Sequence, residues 1–599
     1  MASAADATIY ADGFPSAELP RRPVDYQPKT WDYDSICSLQ QQAHQDDKEM
    51  SSDDGKNFDA SSSTIILSPF NQTCPALGMM GLPMTVVPQG IETKDMLTSF
   101  KDEMGDFKAD NAKDINAFVA LYETSYLAFP GESMLDEARA FAVKKLEELM
   151  PSMSIFMGPA SQTERQGDIP LHWKVPRLQA TWSLKQHGYN EESHLSIDPS
   201  IRQLAAVDFN FVQAVHGAEL VQVMKWWKET GLGEKLPFAR DRLVECFFCA
   251  ACIAPEPHLT GCREVLAKVG SLIVQLDDVY DIYGTVDELT AFTDVVGDWW
   301  EWDDDDFSSV PRLPEYMKVM YSAIRSTSTE AANRVMKEQG YDVLPLYKKA
   351  WHELCKSFLI EAKWQHEGQM PCLEEYLGNG WVTSTGPLLL LHAFTMLQPQ
   401  QQMDSWLQKN EDGDDMVMAY PKLVELCSMI FRLCNDCATH EAESERGETA
   451  YRATSGSQRS SSGYGVRVRI HRVRESDMVM AYPKLFKLCS MIFRNDCVTD
   501  EAESEQGGGV SKEGADSALA DPMTENCKEV NREAALSSTT GTGSPANGVF
   551  VNLARTKLCI YQHGAGITSL KDSRKQLVKD MLFTPIDLDI CGAWQIGRA

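Results

Sequence analysis

No apolar run in the 599 residues reaches the roughly 18 that a membrane-spanning helix needs. The longest, such as PLLLLHAF at 387–394, has the size of a core segment. Positive charge is also in short supply: 56 Lys+Arg stand against 87 Asp+Glu, a formal charge of −31. Such a field opposes general binding to nucleic acid or anionic membrane. An anionic small molecule must therefore arrive with cations or meet a local basic cluster. Alternating strand patterns between Gly-rich turns are nearly absent, which leaves an all-α protein. The N-terminus, MASAADATIYADGFPSAELP, lacks the apolar stretch of a secretory signal. It carries Asp6, Asp12 and Glu18 and no Arg before Arg21, unlike a transit peptide. The expectation is a cytoplasmic protein, or a plastid one if residues precede this start. The sixteen cysteines are expected to be free thiols of a reducing compartment, without zinc spacing.

What is present is mostly helical signal. LDEARAFAVKKLEELM, EYMKVMYSAIRSTSTEAANRVMKEQ and LYKKAWHELCKSFLIEAKWQ place apolar residues at helical intervals. EVLAKVGSLIVQL is apolar around most of its circumference, as the inner layer of a large bundle requires. The length suits two or more domains. Two stretches break the pattern. Residues 40–98 are rich in Ser, Asp, Gly and Pro with no sustained period and read as loop or disorder. DMVMAYPKLVELCSMIFRLCNDCATHEAESERG at 415–447 recurs at 477–507 with two residues lost before its Asn-Asp pair. Two copies do not make a solenoid; local duplication accounts for them. Between them VRVRIHRVR alternates like a basic strand, and translated non-coding sequence explains it better than a nucleic-acid contact.

The chemistry concentrates in three places. In LDDVYD, Asp277 and Asp281 are i and i+4 on one helix face, with Asp278 beside them, closing the apolar segment SLIVQL. Carboxylates crowded in low dielectric repel one another, and a hard divalent cation such as Mg²⁺ relieves this with oxygen ligands. Taken alone, the pattern fits a solvated acidic helix end equally well. In NDCATHEAE, Asn435, Thr439 and Glu443 stand one above another along a helix, each offering oxygen. Two helices presenting such faces could hold several Mg²⁺ between them. In FARDRLVE, Arg240 and Arg242 carry permanent charge that can fork onto phosphate oxygens.

These stretches, together with RLQATW, DFNFVQAVHGAEL, AWHELCKSFLIEAKW, NLAR, YQHGAG and RRPVDYQPKTW, resemble the class I plant terpene synthase family. The last, Arg21-Arg22 followed at Trp31, is similar to the tandem-arginine motif of the family's monoterpene-synthase branch. The likeness covers roughly 20–39, 99–448 and parts of 500–590. It implies two helical domains. The first, at 1–195, would be an N-terminal barrel-like domain, incomplete here, with 40–98 atypical. The second, at 196–599, would be the catalytic bundle, with 449–510 as a duplicated or inserted segment. It also implies three Mg²⁺, with Mn²⁺ as a substitute, held by Asp277, Asp278, Asp281, Asn435, Thr439 and Glu443. Arg240, Arg242 and Arg432 would receive the departing diphosphate, with Arg21 and Arg22 closing over it. Tyr283 and Tyr561 would face the pocket, where aromatic faces stabilise cations without offering a nucleophile.

The implied reaction is metal-assisted ionisation of a prenyl diphosphate by a monomer that binds neither nucleic acid nor membrane. Geranyl diphosphate is favoured by the arginine pair. The alternatives are a cytosolic sesquiterpene synthase using farnesyl diphosphate and an inactive relic. A prenyl-chain elongating enzyme would need a second DDxxD. Departures from the pattern are Cys249, where the family usually has Trp, and Ala565, where it usually has Asp. WDDDDF at 302–307 contains DxDD, the class II cyclase pattern, within a hydrophilic stretch that reads as a solvated loop. Of the two motif copies the first is chosen, because it keeps RLCND and Arg446-Gly447. The deletion in the second copy turns its motif by about 200° on the preceding helix.

Overall fold

The helical periodicities of the sequence become a layered bundle in the computed structural model. It describes residues 31–38, 118, 121–122, 125–126, 133–149, 173–186, 199–299, 313–369, 371–397, 406–409, 416–445, 529–533, 545–561 and 572–587. Residues 40–98, the second motif copy, the basic insert, the acidic run at 302–307, Ala565, Arg21 and Arg22 lie outside them.

In chain order the helices are α1 (Ser133–Leu149), α2 (Pro176–Gln186), α3 (Pro199–Thr230), α4 (Leu232–Lys235), α5 (Leu243–Ile253) and α6 (Thr260–Asp278). There follow α7 (Val286–Gly297), α8 (Glu315–Gln339), α9 (Leu344–Glu367), α10 (Leu373–Thr383) and α11 (Gly386–Leu397). A hairpin of β1 (Leu407–Lys409) and β2 (Met416–Met418) precedes α12 (Lys422–Glu445), α13 (Pro545–Tyr561) and α14 (Asp572–Leu582). The hairpin, antiparallel with Leu407 opposite Met418, is a small addition to the expected all-α architecture. No described helix is long and apolar enough to cross a membrane.

Two helices form the centre. Every residue of α5, LVECFFCAACI, is buried, as an all-round apolar helix must be. It packs along α6, which also touches α8, α11 and α3. On α5 the sequence reading overlooked a three-residue cysteine spacing. Cys246, Cys249 and Cys252 are buried free thiols, and burial first of all pushes each thiol pKa up. They therefore behave as small apolar side chains rather than metal ligands. Buried charges elsewhere are paired. Arg263, wholly buried, forks onto Glu219 at 2.7 and 2.8 Å and caps the carbonyls of Ala254 and Pro257. Lys268 reaches Glu264 and Glu330, each at 2.9 Å.

The α10–α11 junction is tightly constrained. Thr385 takes φ 73°, the left-handed region that a β-branched residue avoids. A Cβ on the next residue, Gly386, would lie 2.3 Å from the Ser428 hydroxyl of α12. The chain turns sharply here because glycine lets α11 start against α12.

One buried side chain makes stability depend on pH. His392 on α11 is fully buried, stacks on Tyr347 at 4.0 Å, and its Nδ1–H donates to the Leu388 carbonyl at 2.8 Å. Burial pushes its pKa down to about 4, so the folded state resists a proton that the unfolded chain accepts near its ordinary value. Stability is therefore full at neutral pH and falls as pH drops through that interval. At about 1.4 kcal/mol per pH unit, the wild type should lose roughly 3 kcal/mol more than His392→Phe between neutral pH and about pH 4. Urea midpoints for the two proteins across that range check this; parallel curves would refute it.

Candidate active site

The site begins where the chain turns from α4 into α5. The segment Phe238–Arg242 carries both arginines of the RDR motif and lies against the end of α6. Arg240 is buried, and its main chain is fixed by Gln275, whose amide donates to the Arg240 carbonyl at 2.8 Å. Its backbone N–H donates to Asp278 at 2.7 Å and its Nε to the same carboxylate at 2.9 and 3.0 Å. Its Nη2 then crosses to Asp277 at 2.7 Å. Arg242 opens α5, also buried, with Nη1 donating to the Asp241 carbonyl at 2.9 Å. Burial lowers its pKa, and the carboxylate of Glu245 offsets part of that.

The three aspartates of LDDVYD thus separate. Asp278 has no exposed surface, and its oxygens receive Arg240. The second position of the motif, expected beside the face shared by Asp277 and Asp281, faces the RDR segment. Asp277 keeps 31% of its side chain exposed. Asp281 does not continue the α-helix. Val279–Tyr283 is a π-helical turn closed by Gly284 N–H donating to the Val279 carbonyl at 2.8 Å, the kind of local widening that recurs at functional sites. Asp281 and Tyr283 are half-buried there. Tyr283 stacks on Phe238 at 3.5 Å with Tyr316 edge-on at 5.1 Å. One ring face is thereby covered, and the tyrosine braces the Arg240 segment.

The opposite wall is α12. Arg432 is 8% exposed and lies in a polar knot. Its Nε donates to the Tyr376 hydroxyl at 2.9 Å and to Asp436 at 3.1 Å, and its Nη1 to Thr383 at 3.1 Å. Tyr376 donates to Asp436 at 2.7 Å, and Thr383 to Glu361 at 2.7 Å. Burial opposes the charge on Arg432, but Asp436, Tyr376 and Glu361 more than offset it and hold the guanidinium protonated. Asn435 is half-buried beside the knot. Thr439 and Glu443 lie further along α12, with side chains outside the described set.

Glu361 connects the walls. Burial raises its pKa, Arg432 pulls it down, and the charges of both Asp436 and Asp277 push it up again. A carboxylate on α9 thus feels the motif of α6 and the motif of α12 at once, although these are far apart in sequence. Tyr561 of α13, 5% exposed, likewise feels Arg240 and Asp277. Its ring lies 6.2 Å from Phe431 of α12. The sequence reading missed Glu361, Tyr376 and Thr383, which no local spacing marks. It also missed Asp436, which lies inside the quoted NDCATHEAE.

Two further residues hold the RDR segment from outside. Asp241 accepts from the Tyr33 hydroxyl and from the Trp227 indole at 3.2 Å. Nearby, Trp31 packs on Phe583 at 6.0 Å. The residues that follow the tandem arginines therefore dock directly behind Arg240 and Arg242.

The donor set is compatible with Mg²⁺: oxygen donors dominate, and Asp277, Glu361 and Asp436 crowd one another electrostatically, a repulsion that a divalent cation relieves. Among the described residues no three acidic, His or Cys side chains form a closed cage.

Comparison with known proteins agrees with this geometry. Residues 228–456 match the family model "Terpene synthase family, metal binding domain", and 92–162 match "Terpene synthase, N-terminal domain". The chain is 33% identical to myrcene synthase of Quercus ilex over 501 residues, 83% of this chain and 72% of that protein. It is 40% identical to α-thujene synthase of Litsea cubeba over 354 residues, where it spans only 57% of the relative's length. Limonene synthase solved with 2-fluorolinalyl diphosphate superposes with a TM-score of 0.66 at 26% identity, over 94% of this chain and 100% of that one. Isoprene synthase of grey poplar, solved with three Mg²⁺ and dimethylallyl-S-thiolodiphosphate, gives 0.64 at 27% identity, over 93% and 99%.

Proposed function

The chain belongs to the terpene synthase family, and on that premise we propose that it ionises geranyl diphosphate in the presence of Mg²⁺, releasing diphosphate and a monoterpene. The observation that carries this reading is the convergence on Glu361 of Asp277 from α6 and of Arg432 and Asp436 from α12. It supports a single acidic cleft between two motif-bearing helices. Asp277, Asp281 and Asn435 would hold the ions, with Thr439 and Glu443 continuing the α12 ladder. When bound, Mg²⁺ supplies neutralisation of the charge that builds on the leaving diphosphate. Three ions are the expectation, in line with the poplar enzyme.

The remaining work falls to the chain itself. Arg240 is held on Asp277 and Asp278, so it orients the first aspartate while keeping its charge at the end of the cleft where the diphosphate would leave. Arg242 and Arg432 supply fixed positive charge on either side of the leaving group. The apolar, aromatic interior around Phe431 and Tyr561 excludes water from the cation. The resemblance of Arg21, Arg22 and Trp31 to the tandem-arginine motif supports a ten-carbon substrate, as do relatives named for myrcene and thujene. We assign residues 1–195 to the N-terminal helical domain and 196–599 to the catalytic one.

Purified protein incubated with Mg²⁺ and geranyl or farnesyl diphosphate tests the proposal. A monoterpene should form with at least about a tenfold preference in kcat/KM for geranyl diphosphate, equivalent to about 1.4 kcal/mol, and a chelator should abolish it. No volatile product from either substrate, or a farnesyl preference, would overturn it.

A further inference from the structure

Against Phe431 of α12 lies a lysine that the proposed reaction does not use. Lys557 is on α13, one turn before Tyr561, and only 4% of it is exposed. Its Nζ stands 3.8 Å from the centroid of Phe431, and among the described residues it makes no ion pair. Phe431 is itself one turn before Asn435 on α12, beside Arg432, and its ring is 6.2 Å from Tyr561. On the third side lie the thiols of α5: Cys246, Cys249 and Cys252 all feel the charge of Lys557. The ammonium thus sits about one helical turn, ~5 Å, from the level of Asn435 and Tyr561. It covers a ring face within the apolar wall.

We propose that Lys557 is a specificity-determining residue, occupying the aromatic face of Phe431 so that positive charge on the substrate is held at the diphosphate end of the cleft. The inference rests on the ionisation reading above. Ring closure moves charge along the chain: the distal C=C pair forms a bond to the allylic carbon and leaves a tertiary cation at the far end. An open π face would stabilise that cation. Here the face is filled by an ammonium, and two like charges in low dielectric repel. The favoured course is early termination. A C–H bond next to the allylic cation gives its electron pair to a new C=C, its proton passes to the released diphosphate, and the product stays acyclic.

The discriminating variant is Lys557→Met, which keeps apolar bulk and removes the charge; Lys557→Arg keeps the charge. With geranyl diphosphate and Mg²⁺, the wild type and K557R should give mainly acyclic product, and K557M should raise the cyclic fraction roughly fivefold or more, with diphosphate release maintained. A second measurement does not depend on turnover. Calorimetry in Mg²⁺ and inorganic diphosphate compares a monocyclic tertiary-ammonium mimic of the cation with its neutral carbon isostere. The wild type should show no preference for the ammonium, and K557M should favour it by about tenfold. A K557M protein that melts like wild type but shows an unchanged ammonium-to-neutral ratio overturns the inference. Failure of the functional reading looks different: wild type releases no diphosphate, while the binding ratio still shifts between the two proteins.

Discussion

Asp277→Asn should slow diphosphate release by roughly 10²–10³-fold, the scale of losing one preorganised electrostatic contact to developing charge, while moving the melting temperature by only about 2 °C. The two effects separate because Asp277 is still 31% exposed and shares Arg240 with a neighbour. Asn leaves Arg240 bound to Asp278 through its backbone N–H and Nε, so the RDR segment stays in place. Asp278→Asn is the informative partner. Its carboxylate is wholly buried, and breaking a buried pair costs about 3–5 kcal/mol. That variant should lose stability first, and activity through displacement of Arg240. Thermal melts beside diphosphate release at saturating Mg²⁺ distinguish the two. Equal melting losses in both variants would show that the neighbours share one role.

Much of this site was legible in the sequence because it is built on helices, where spacing determines which residues share a face. LDDVYD and NDCATHEAE announce oxygen ladders by i, i+4 arithmetic, and RDR announces fixed charge. What the spacing could not show is which neighbour each group chooses. Asp277 and Asp278 differ by one residue, yet about 100° of helical rotation turns the second onto Arg240. The π turn at Val279–Tyr283 also escapes the arithmetic, since nothing in VYDIY breaks helical pattern. Glu361, Tyr376 and Thr383 were silent for another reason. They lie on α9 and α10, and their polar partners come from α12, so the contact exists only after three helices pack. Likewise Lys557 reads in sequence as an ordinary polar face residue. Its meaning depends on Phe431 of another helix.

The knot around Arg432 should therefore carry a large stability effect. Arg432→Ala removes the only group that bridges Tyr376, Thr383 and Asp436 in the described structure, leaving the buried carboxylate of Asp436 and the half-buried one of Glu361 without it. The expected loss is about 3–5 kcal/mol. Arg432→Lys should recover only part, because an ammonium lacks the planar fork that reaches three acceptors at once. The pH dependence of the deficit has a definite sign. Burial already raises the pKa of Glu361, with Arg432 as the main opposing influence; without Arg432 it rises further. A carboxyl whose folded pKa lies above its unfolded value stabilises the fold while protonated and withdraws that stability as pH increases. The deficit of R432A should thus be smaller under mildly acidic conditions than under mildly basic ones, and Glu361→Gln in the R432A background should narrow it at the basic end. Urea midpoints for the four proteins at two pH values measure this directly. A deficit that is independent of pH and untouched by Glu361→Gln would mean that Arg432 stabilises the fold by packing on Tyr376 rather than by compensating buried charge.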